Sequence, residues 1–276
     1  MRIRRELQLS RRVALTHARL ETQYEGHAKD VTRDMDMSTT DAIVCCSGDG
    51  VLCEVVNGVM SRADWNTVVS RVEFGIIPAG SGNGLAKVLD VLDPMDAAFL
   101  IGRGRVRPLD LIKIVQDDPA NPGQKTPPVF SFLSVNWGII SDVDFESEHY
   151  RFLGNARFTV GAVVRLVDLR RYRGFISYKP VPGSEESFEN YRRFCSDSCN
   201  ICNRTQIEYP DASTPDLNLD QEGWVHAEGD FVLAVGCNVS WISSDVNMAP
   251  YAHLSDGNID LLFGTSTSIS LSTSYL

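Results

Sequence analysis

Two glycine-rich turns, each between an apolar strand and a helical pattern, constrain the fold of this chain more than any other feature. The strand candidate Ala42–Cys46 runs into Ser47-Gly48-Asp49-Gly50, and the candidate Phe74–Pro78 runs into Gly80-Ser81-Gly82-Asn83-Gly84. A strand, a glycine turn and a helix that occur twice in succession predict an α/β unit.

The helices are predicted from the spacing of their apolar residues. After each turn, apolar residues recur on one helical face; they are Leu52, Val55, Val56 and Val59 after the first turn, and Leu85, Val88, Leu89 and Leu92 after the second. Pro94 opens a further helix that Gly102 and Gly104 end.

Glycine turns of this kind are suited to binding phosphate. Without Cβ atoms the backbone lets an anion approach main-chain N–H groups, and the following helix directs its positive end toward that anion. Two such turns can converge on one polyphosphate at the carboxyl ends of the strands. Asp49 within the first turn either accepts a proton from an attacking hydroxyl and helps to hold Mg²⁺, or caps a helix that begins at Gly50.

The pattern changes after Arg107-Pro108. Several strands and few helices predict an antiparallel sheet or sandwich; the predicted strands are Leu109–Val115, Val129–Trp137, Gly174–Tyr178, Phe231–Val239 and Ile259–Phe263. One helix is expected from Phe158 to Arg170, with an apolar stripe of Val160, Val163, Val164 and Val167. We therefore expect domains at 1–107 and 108–276, with a disordered polar insertion at 182–223.

Composition narrows the function. The formal net charge of −10 disfavours a nucleic-acid partner, and no apolar run reaches the roughly 18 residues that a transmembrane helix needs. Cys195, Cys199 and Cys202 form a C-x3-C-x2-C pattern that resembles an iron–sulfur signature. The pattern lies in a polar stretch, so surface thiols in a loop are the favoured interpretation.

The segments SGDGVLCEVVNGVMSRADW and IPAGSGNGLAKVL resemble the catalytic domain of sphingosine kinases, within the diacylglycerol-kinase superfamily. The block FSFLSVNWGIISDVDFESEHYRFLGNARFTVGAVVRLVDLRRYRG supports the narrower family. This resemblance implies a Rossmann-like, phosphofructokinase-like nucleotide-binding domain, a mainly antiparallel β-sandwich, and an active site in the cleft between them. It implies an ATP- and Mg²⁺-dependent kinase acting on a sphingoid-base lipid, cytoplasmic and peripherally associated with an intracellular or plasma membrane.

The resemblance also implies residue roles. Asp49 is the expected general base and the indirect partner of Mg²⁺. The expected nucleotide contacts are Thr22, Ser47, Gly48, Gly50, Glu54, Gly80, Ser81, Gly82, Asn83, Glu148, Arg151 and Arg157. Ser134 and Asp144 match head-group positions.

Side-chain chemistry agrees with these substrate roles. Asp144 suits the ammonium of a sphingoid base. In a continuous strand Val129–Trp137, Ser134 shares a face with Phe130 and Phe132; further lining is expected from Ile139, Ile140, Val143 and Phe158. Arg151 and Arg157 offer planar forks for phosphoryl charge. The alternative for these arginines is a solvated helix face, paired with Glu146, Glu148 or Asp168.

Other functions remain open at this point. A diacylglycerol or ceramide kinase keeps the phosphate chemistry but has no use for Asp144 as an ammonium partner. The family's Asn-Pro-x-x-Gly-Gly turn is not found before Thr22, nor is its late Asp-Gly-Glu turn, which predicts a missing first strand and a truncated C-terminal end. A catalytically impaired paralogue that binds lipid or a partner is therefore another alternative. A nicotinamide oxidoreductase is disfavoured, and the sequence indicates no oligomeric state.

Overall fold

A computed structural model describes residues 18–147, 149–150, 156–181, 195, 199–202, 219, 222–265 and 269–275. Its first part alternates helices and strands. These elements are α1 (His27–Asp34), β1 (Ala42–Ser47), α2 (Asp49–Met60), α3 (Trp65–Arg71), β2 (Glu73–Pro78), α4 (Gly84–Val88) and α5 (Pro94–Gly102).

The two strands that were predicted to precede the glycine turns pair in parallel. Their register sets Ser47 opposite Pro78, so both strands end at the same edge of the sheet and both turns begin there. The first helical pattern is confirmed, because Leu52, Val55, Val56 and Val59 are all buried in α2. The α/β character of this part is therefore confirmed.

The second helical pattern is only partly correct. Helix α4 ends at Val88, and Asp90 has a left-handed backbone with a φ of 56°. Leu92 consequently lies outside the helix and is 41% exposed. Helix α5 agrees with the prediction, because Asp93 caps its N-terminus by accepting hydrogen bonds from Met95 N and Asp96 N, and Pro94 is the first helical residue.

The second part contains strands and two helices. These are β3 (Ile112–Ile114), β4 (Val129–Ser131), β5 (Ser134–Gly138), α6 (Ile139–Ser147), α7 (Ala156–Val167), β6 (Tyr172–Pro180), β7 (Val225–Cys237), β8 (Ile259–Thr265) and β9 (Ile269–Tyr275). All pairings among β3–β9 in the described residues are antiparallel. An antiparallel sheet in this part is therefore confirmed.

One predicted strand is divided in the structure. The segment predicted as Val129–Trp137 forms β4, which pairs with β3, and β5, which pairs with β7. The bend at residues 132–133 interrupts the alternation of faces. The argument that Ser134 shares a strand face with Phe130 and Phe132 is therefore wrong.

Helix α7 does not bury its apolar stripe. Val160, Val163, Val164 and Val167 are all exposed, whereas Arg157 and Gly161 are buried. Gly161 packs against α6, since a Cβ built on it would lie 3.4 Å from both Ser147 Cβ and Val143 Cγ1. The predicted helix is therefore present, and its apolar stripe lies on the exposed face.

Hydrogen bonds join the two parts of the chain. Asn57 of α2 donates from Nδ2 to Phe130 O at 2.7 Å and accepts from Phe130 N at 2.8 Å. Phe130 and Phe132 also share a buried apolar cluster with residues of β1, α2 and β2. Within the second part, Asn238, which follows β7, donates to Asp110 O at 2.8 Å and to Phe132 O at 3.0 Å.

Most of the predicted insertion at 182–223 lies outside the described residues. Within it, however, Cys199 and Cys202 are buried against Val239 and Leu254. Among the described residues, no helix has the length and apolar character needed to cross a membrane.

Candidate functional site

The two glycine turns lie directly against each other. A Cβ built on Gly80 would lie 2.3 Å from Gly48 Cα, and Ala79 N donates to Ser47 O at 3.0 Å. Since real Cβ atoms do not approach so closely, glycine at position 80 permits the contact between the turns. We call Ser47–Gly50 and Gly80–Gly84 together the glycine-turn site.

Asp49 links the two turns through its carboxylate. Its Oδ2 accepts a hydrogen bond from Gly84 N at 2.7 Å, and its Oδ1 accepts one from Leu85 N at 3.0 Å. Gly48 is the N-cap residue of α2, and that helix begins at Asp49 itself. The idea that Asp49 caps a helix beginning at Gly50 is therefore wrong, because its side chain caps the neighbouring helix α4 instead.

The environment of Asp49 raises its pKa. Burial is the largest cause and raises the pKa of the carboxyl group, whereas the hydrogen bonds from Leu85 and Gly84 lower it. The two carboxylate oxygens carry four lone pairs in all, and the N–H groups of Gly84, Leu85 and Asp49 itself donate to them. At least one lone pair therefore remains for a further hydrogen bond or a proton.

The second turn is closed by its own asparagine. Asn83 has a left-handed backbone with a φ of 51°, which asparagine tolerates better than most residues. Its Oδ1 accepts from Gly80 N at 3.0 Å, and its Nδ2 donates to Gly80 O at 2.7 Å. A Cβ built on Gly82 would lie 3.6 Å from Asp49 Oδ2, so Gly82 lies next to the carboxylate.

A loop after β7 covers this second turn. Ser244 N donates to Gly82 O at 2.7 Å, and a Cβ built on Gly84 would lie 2.8 Å from Ile242 O. Lys87 of α4 places its Nζ 4.8 Å from the ring centroid of Trp241. The sequence motifs did not reveal this loop, because its contacts use backbone atoms of residues some 160 positions away from the turn.

The other residues of the first part that were expected to bind nucleotide differ in their exposure and in their contacts. Ser47 donates from Oγ to Gly48 O at 3.0 Å, and Gly50 is exposed with no atom within 4 Å of a built Cβ. Glu54 accepts from Ala28 N at 3.1 Å, so its carboxylate binds the first turn of α1. Thr22 is exposed just before α1, and Ser81 is half-buried beside Gly82.

Arg157 occupies a buried position, which contradicts the alternative of a solvated helix face. It is 8% exposed, and its guanidinium lies 4.3 Å from the ring centroid of Phe158. The acidic partners considered for it, Glu146 and Asp168, form ion pairs with Arg165 at 2.7 and 3.5 Å.

The expected substrate residues lie mainly on α6 and at its start. Ser134 begins β5, and its carbonyl accepts from Ser131 Oγ at 3.0 Å. Ile140 packs beside the buried cluster that contains Val235, whereas Asp144 is exposed. Ile139 and Val143 are half-buried on the same helix. Glu148 and Arg151 lie outside the described residues.

Comparisons with known proteins define the class to which this fold and site correspond. Residues 3–114 match the sequence profile of the diacylglycerol kinase catalytic domain. The crystal structure of a diacylglycerol kinase from Bacillus anthracis str. Sterne superposes with a TM-score of 0.56 at 18% identity, over 89% of this chain and 63% of that chain. At that identity the superposition shows a shared fold.

Within that class, the similarity is to sphingosine kinases. Sphingosine kinase 1 of Arabidopsis thaliana is 40% identical over 256 residues, which is 88% of this chain and 48% of that protein. Sphingosine kinase 2 of Homo sapiens is 40% identical over 173 residues, which is 58% of this chain and 25% of that protein. The chain spans about half the length of its Arabidopsis relatives. The resemblance indicated by the motifs is thus confirmed: residues 3–114 are similar to the diacylglycerol kinase catalytic domain, and most of the chain is similar to sphingosine kinases.

Proposed function

We propose that this chain is the catalytic part of a lipid kinase that transfers the γ-phosphate of ATP to the primary hydroxyl of sphingosine or a related sphingoid base. In the reaction the bond between the γ-phosphorus and the β,γ-bridging oxygen breaks, and a bond forms between that phosphorus and the lipid oxygen. Asp49 takes the hydroxyl proton, and sphingosine 1-phosphate and ADP leave.

The observation that carries this proposal is the position of the Asp49 carboxylate between two touching glycine turns. Exposed Gly50 and half-buried Ser81 leave the backbone of both turns accessible to phosphate oxygens. The raised pKa of Asp49 suits a general base, because the driving force for proton transfer grows as the pKa of the base rises toward the working pH.

Nucleotide binding then rests on Thr22, Ser47, Gly48, Gly50, Gly80, Ser81, Gly82 and Asn83. Glu54 acts indirectly in this scheme, since it holds the N-terminus of α1. Glu148, Arg151 and Arg157 reach the nucleotide in this proposal, and the guanidinium groups of Arg151 and Arg157 stabilise the charge of the transferred phosphoryl group. Mg²⁺ binds hard oxygen ligands, and a free lone pair of Asp49 fits such an ion on the ATP phosphates, where it would neutralise charge developing on the transferred group.

The head group of the lipid is assigned to Ser134 and Asp144. An exposed carboxylate on α6 can bind the ammonium of a sphingoid base, whereas diacylglycerol carries no cation for it to bind. Ile139, Ile140, Val143 and Phe158 line the start of the lipid tail in this proposal. The finer architecture also remains a proposal: a Rossmann-like domain at 1–107, a β-sandwich domain at 108–276, and the active site between them.

Peripheral contact with a membrane is supported by the outward face of α7. Val163 is 57% exposed and Val167 is 86% exposed, and Phe145 of α6 is 80% exposed. An exposed apolar face of this kind is suited to the boundary between lipid head groups and acyl chains. Replacing Val163 and Val167 with Asp should reduce sedimentation of the chain with phosphatidylcholine vesicles, whereas unchanged sedimentation would exclude this face.

The test of the kinase proposal is transfer of labelled γ-phosphate to sphingosine by the purified chain. We expect sphingosine to be phosphorylated in preference to diacylglycerol and ceramide, and Asp144→Ala to raise the KM for sphingosine. Preference for diacylglycerol or ceramide, with no effect of Asp144→Ala, would favour those lipids as substrates. Lipid binding without ATP binding, measured by calorimetry, would favour a non-catalytic paralogue.

A further inference from the structure

Three cysteines and one histidine form a compact cluster apart from the glycine-turn site. Cys195, Cys199 and Cys202 come from the C-x3-C-x2-C segment, and His253 comes from the loop between β7 and β8. One ligand atom from each residue lies within 4.8 Å of all the others. Cys199, Cys202 and His253 are buried, so the expectation of surface thiols is wrong.

Three of the six ligand–ligand distances in this cluster are close to those around a single tetrahedral ion, and all six are within 4.8 Å. Zinc binds sulfur at about 2.3 Å and nitrogen at about 2.0–2.1 Å, so its tetrahedral ligands are separated by about 3.8 Å for two sulfurs and about 3.6 Å for sulfur and nitrogen. In the structure, Cys195 Sγ and Cys202 Sγ are 3.6 Å apart. His253 Nδ1 lies 3.2 Å from Cys199 Sγ and 3.9 Å from Cys202 Sγ.

A disulfide does not account for this geometry. An S–S bond is about 2.05 Å long, and all seven cysteines of the chain are free. An iron–sulfur cluster fits less well than one ion, because the thiolates of a cluster bind different iron atoms and are therefore spread farther apart.

The surroundings of the cluster favour thiolates. Arg107 donates from Nη2 to Cys195 Sγ at 3.1 Å. Backbone N–H groups also donate to the sulfurs, from Leu254 to Cys195 and from Ser255 to Cys202. Cationic and N–H donors of this kind usually surround metal-bound thiolates.

The histidine is also arranged as a ligand. Its Nε2 is buried and has no hydrogen-bond partner among the described residues, while its Nδ1 faces the sulfurs. If Nε2 carries the ring proton, the Nδ1 lone pair is free to bind a metal.

We propose that Cys195, Cys199, Cys202 and His253 bind one Zn²⁺ ion. Four protein ligands complete a tetrahedral shell and leave no open position for water or substrate, which is the arrangement of a structural zinc site. This assignment uses none of the residues given a role in phosphoryl transfer, so it stands or falls independently of the kinase proposal.

The site would fix two distant segments beside α4. Cys199 and Cys202 share a buried cluster with Val239 and Leu254, and Val88 and Leu89 pack against that cluster. Leu254 O also accepts from Asp110 N at 2.8 Å. Zinc would therefore hold Cys195 and residues 199–202 against the loop after β7 and against the C-terminal end of α4.

The test is metal analysis of the whole purified chain by inductively coupled plasma mass spectrometry. We expect about one zinc ion per chain, and loss of zinc in Cys199→Ser and in His253→Asn. Cys46→Ser is the matched control, because Cys46 is exposed and lies outside the cluster; it should retain the zinc. Chelation of the wild-type metal should lower Tm, and re-addition of zinc should restore it.

A second measurement does not depend on whether the variants fold. Replacing the bound metal of the wild-type chain by Co²⁺ should produce the intense visible d–d bands of tetrahedral cobalt and a thiolate-to-metal charge-transfer band in the near ultraviolet. A wild-type chain without metal that shows no such bands with Co²⁺ would overturn the proposal. So would mass spectrometry showing Cys195 and Cys202 joined with loss of two hydrogens, or Cys199→Ser retaining full zinc.

Discussion

The glycine-turn site and the cysteine–histidine cluster lie at opposite ends of α4 and are built in different ways. Asp49 binds the first two amides of α4, whereas Val88 and Leu89 at its other end pack against the cluster. The first site consists of backbone N–H groups and one carboxylate within a local strand–turn–helix pattern. The second is made of side chains from two segments about 50 positions apart. We infer that the first site serves chemistry and the second serves stability.

Replacing Asp49 is expected to have the largest effect on activity. Asp49→Asn keeps the shape and one acceptor oxygen but removes the base, so kcat/KM for sphingosine should fall by about 10²- to 10⁴-fold. The measurement is transfer of labelled phosphate. Asp117→Asn is the matched control, because Asp117 is 81% exposed and pairs with Lys125 on the surface.

This substitution also separates the two regions. Asp49→Asn should leave the zinc content at its wild-type value and lower Tm modestly, because one amide of α4 then faces an NH2 group instead of an acceptor oxygen. Cys199→Ser should lower both the zinc content and Tm. A Cys199→Ser variant that reduces kcat as strongly as Asp49→Asn, with unchanged Tm and metal content, would contradict this division of roles. The cysteine–histidine cluster would then take part in catalysis.

Gly80→Ala tests the close contact between the two turns. A Cβ at position 80 would lie 2.3 Å from Gly48 Cα and 2.8 Å from Gly48 N, and such backbone overlap should reduce the free energy of unfolding by about 1–3 kcal/mol. Denaturant unfolding measures the change. Gly50→Ala is the control for stability, since a built Cβ there meets no atom within 4 Å. Equal stabilities of the two variants would mean that the turns are not in contact.

The pH dependence of catalysis tests the environment of Asp49. Burial raises its pKa in the folded protein, and a general base must be ionised. The kcat/KM should therefore fall as pH decreases, with a midpoint above the ordinary aspartate pKa of about 3.9. Stability has the opposite sign: the contribution of a carboxyl group with a raised pKa is present at low pH and is lost as pH rises through its folded pKa. A rate profile of Asp49→Asn that keeps the same acidic limb would assign the limb to another group.

How much of each region can be predicted from sequence follows from this difference in construction. Glycine turns and short apolar strands are local patterns that predict the structure of their own segment of backbone. The parallel strands and the contact between the turns could therefore be predicted from the segments around Ser47 and Gly80. The hydrogen bonds by which Asp49 caps the neighbouring helix α4 could not be predicted, because they depend on the distance between the two turns in the folded chain. The covering loop at Trp241 was missed for the same reason.

The cysteine–histidine cluster could be predicted only in part from the sequence. The spacing of Cys195, Cys199 and Cys202 is visible in the sequence, but the fourth ligand candidate is His253, which no local pattern connects to them. Helix α7 shows a related limit. Its valine spacing reveals an apolar stripe but not which face packs: Gly161 and not Val163 faces α6, because a small residue allows the closer packing of two helices.

The smallest expected effect concerns the contact between Lys87 and Trp241. A cation–π contact of this kind contributes about 0.5–1 kcal/mol at an exposed site, so Lys87→Gln should lower the free energy of unfolding by no more than that. Lys29→Gln, on the exposed face of α1, is the control, and denaturant unfolding compares the two. Because Lys87 lies between the two regions on α4, an effect well above 1 kcal/mol accompanied by loss of zinc would show that the two ends of the helix are coupled.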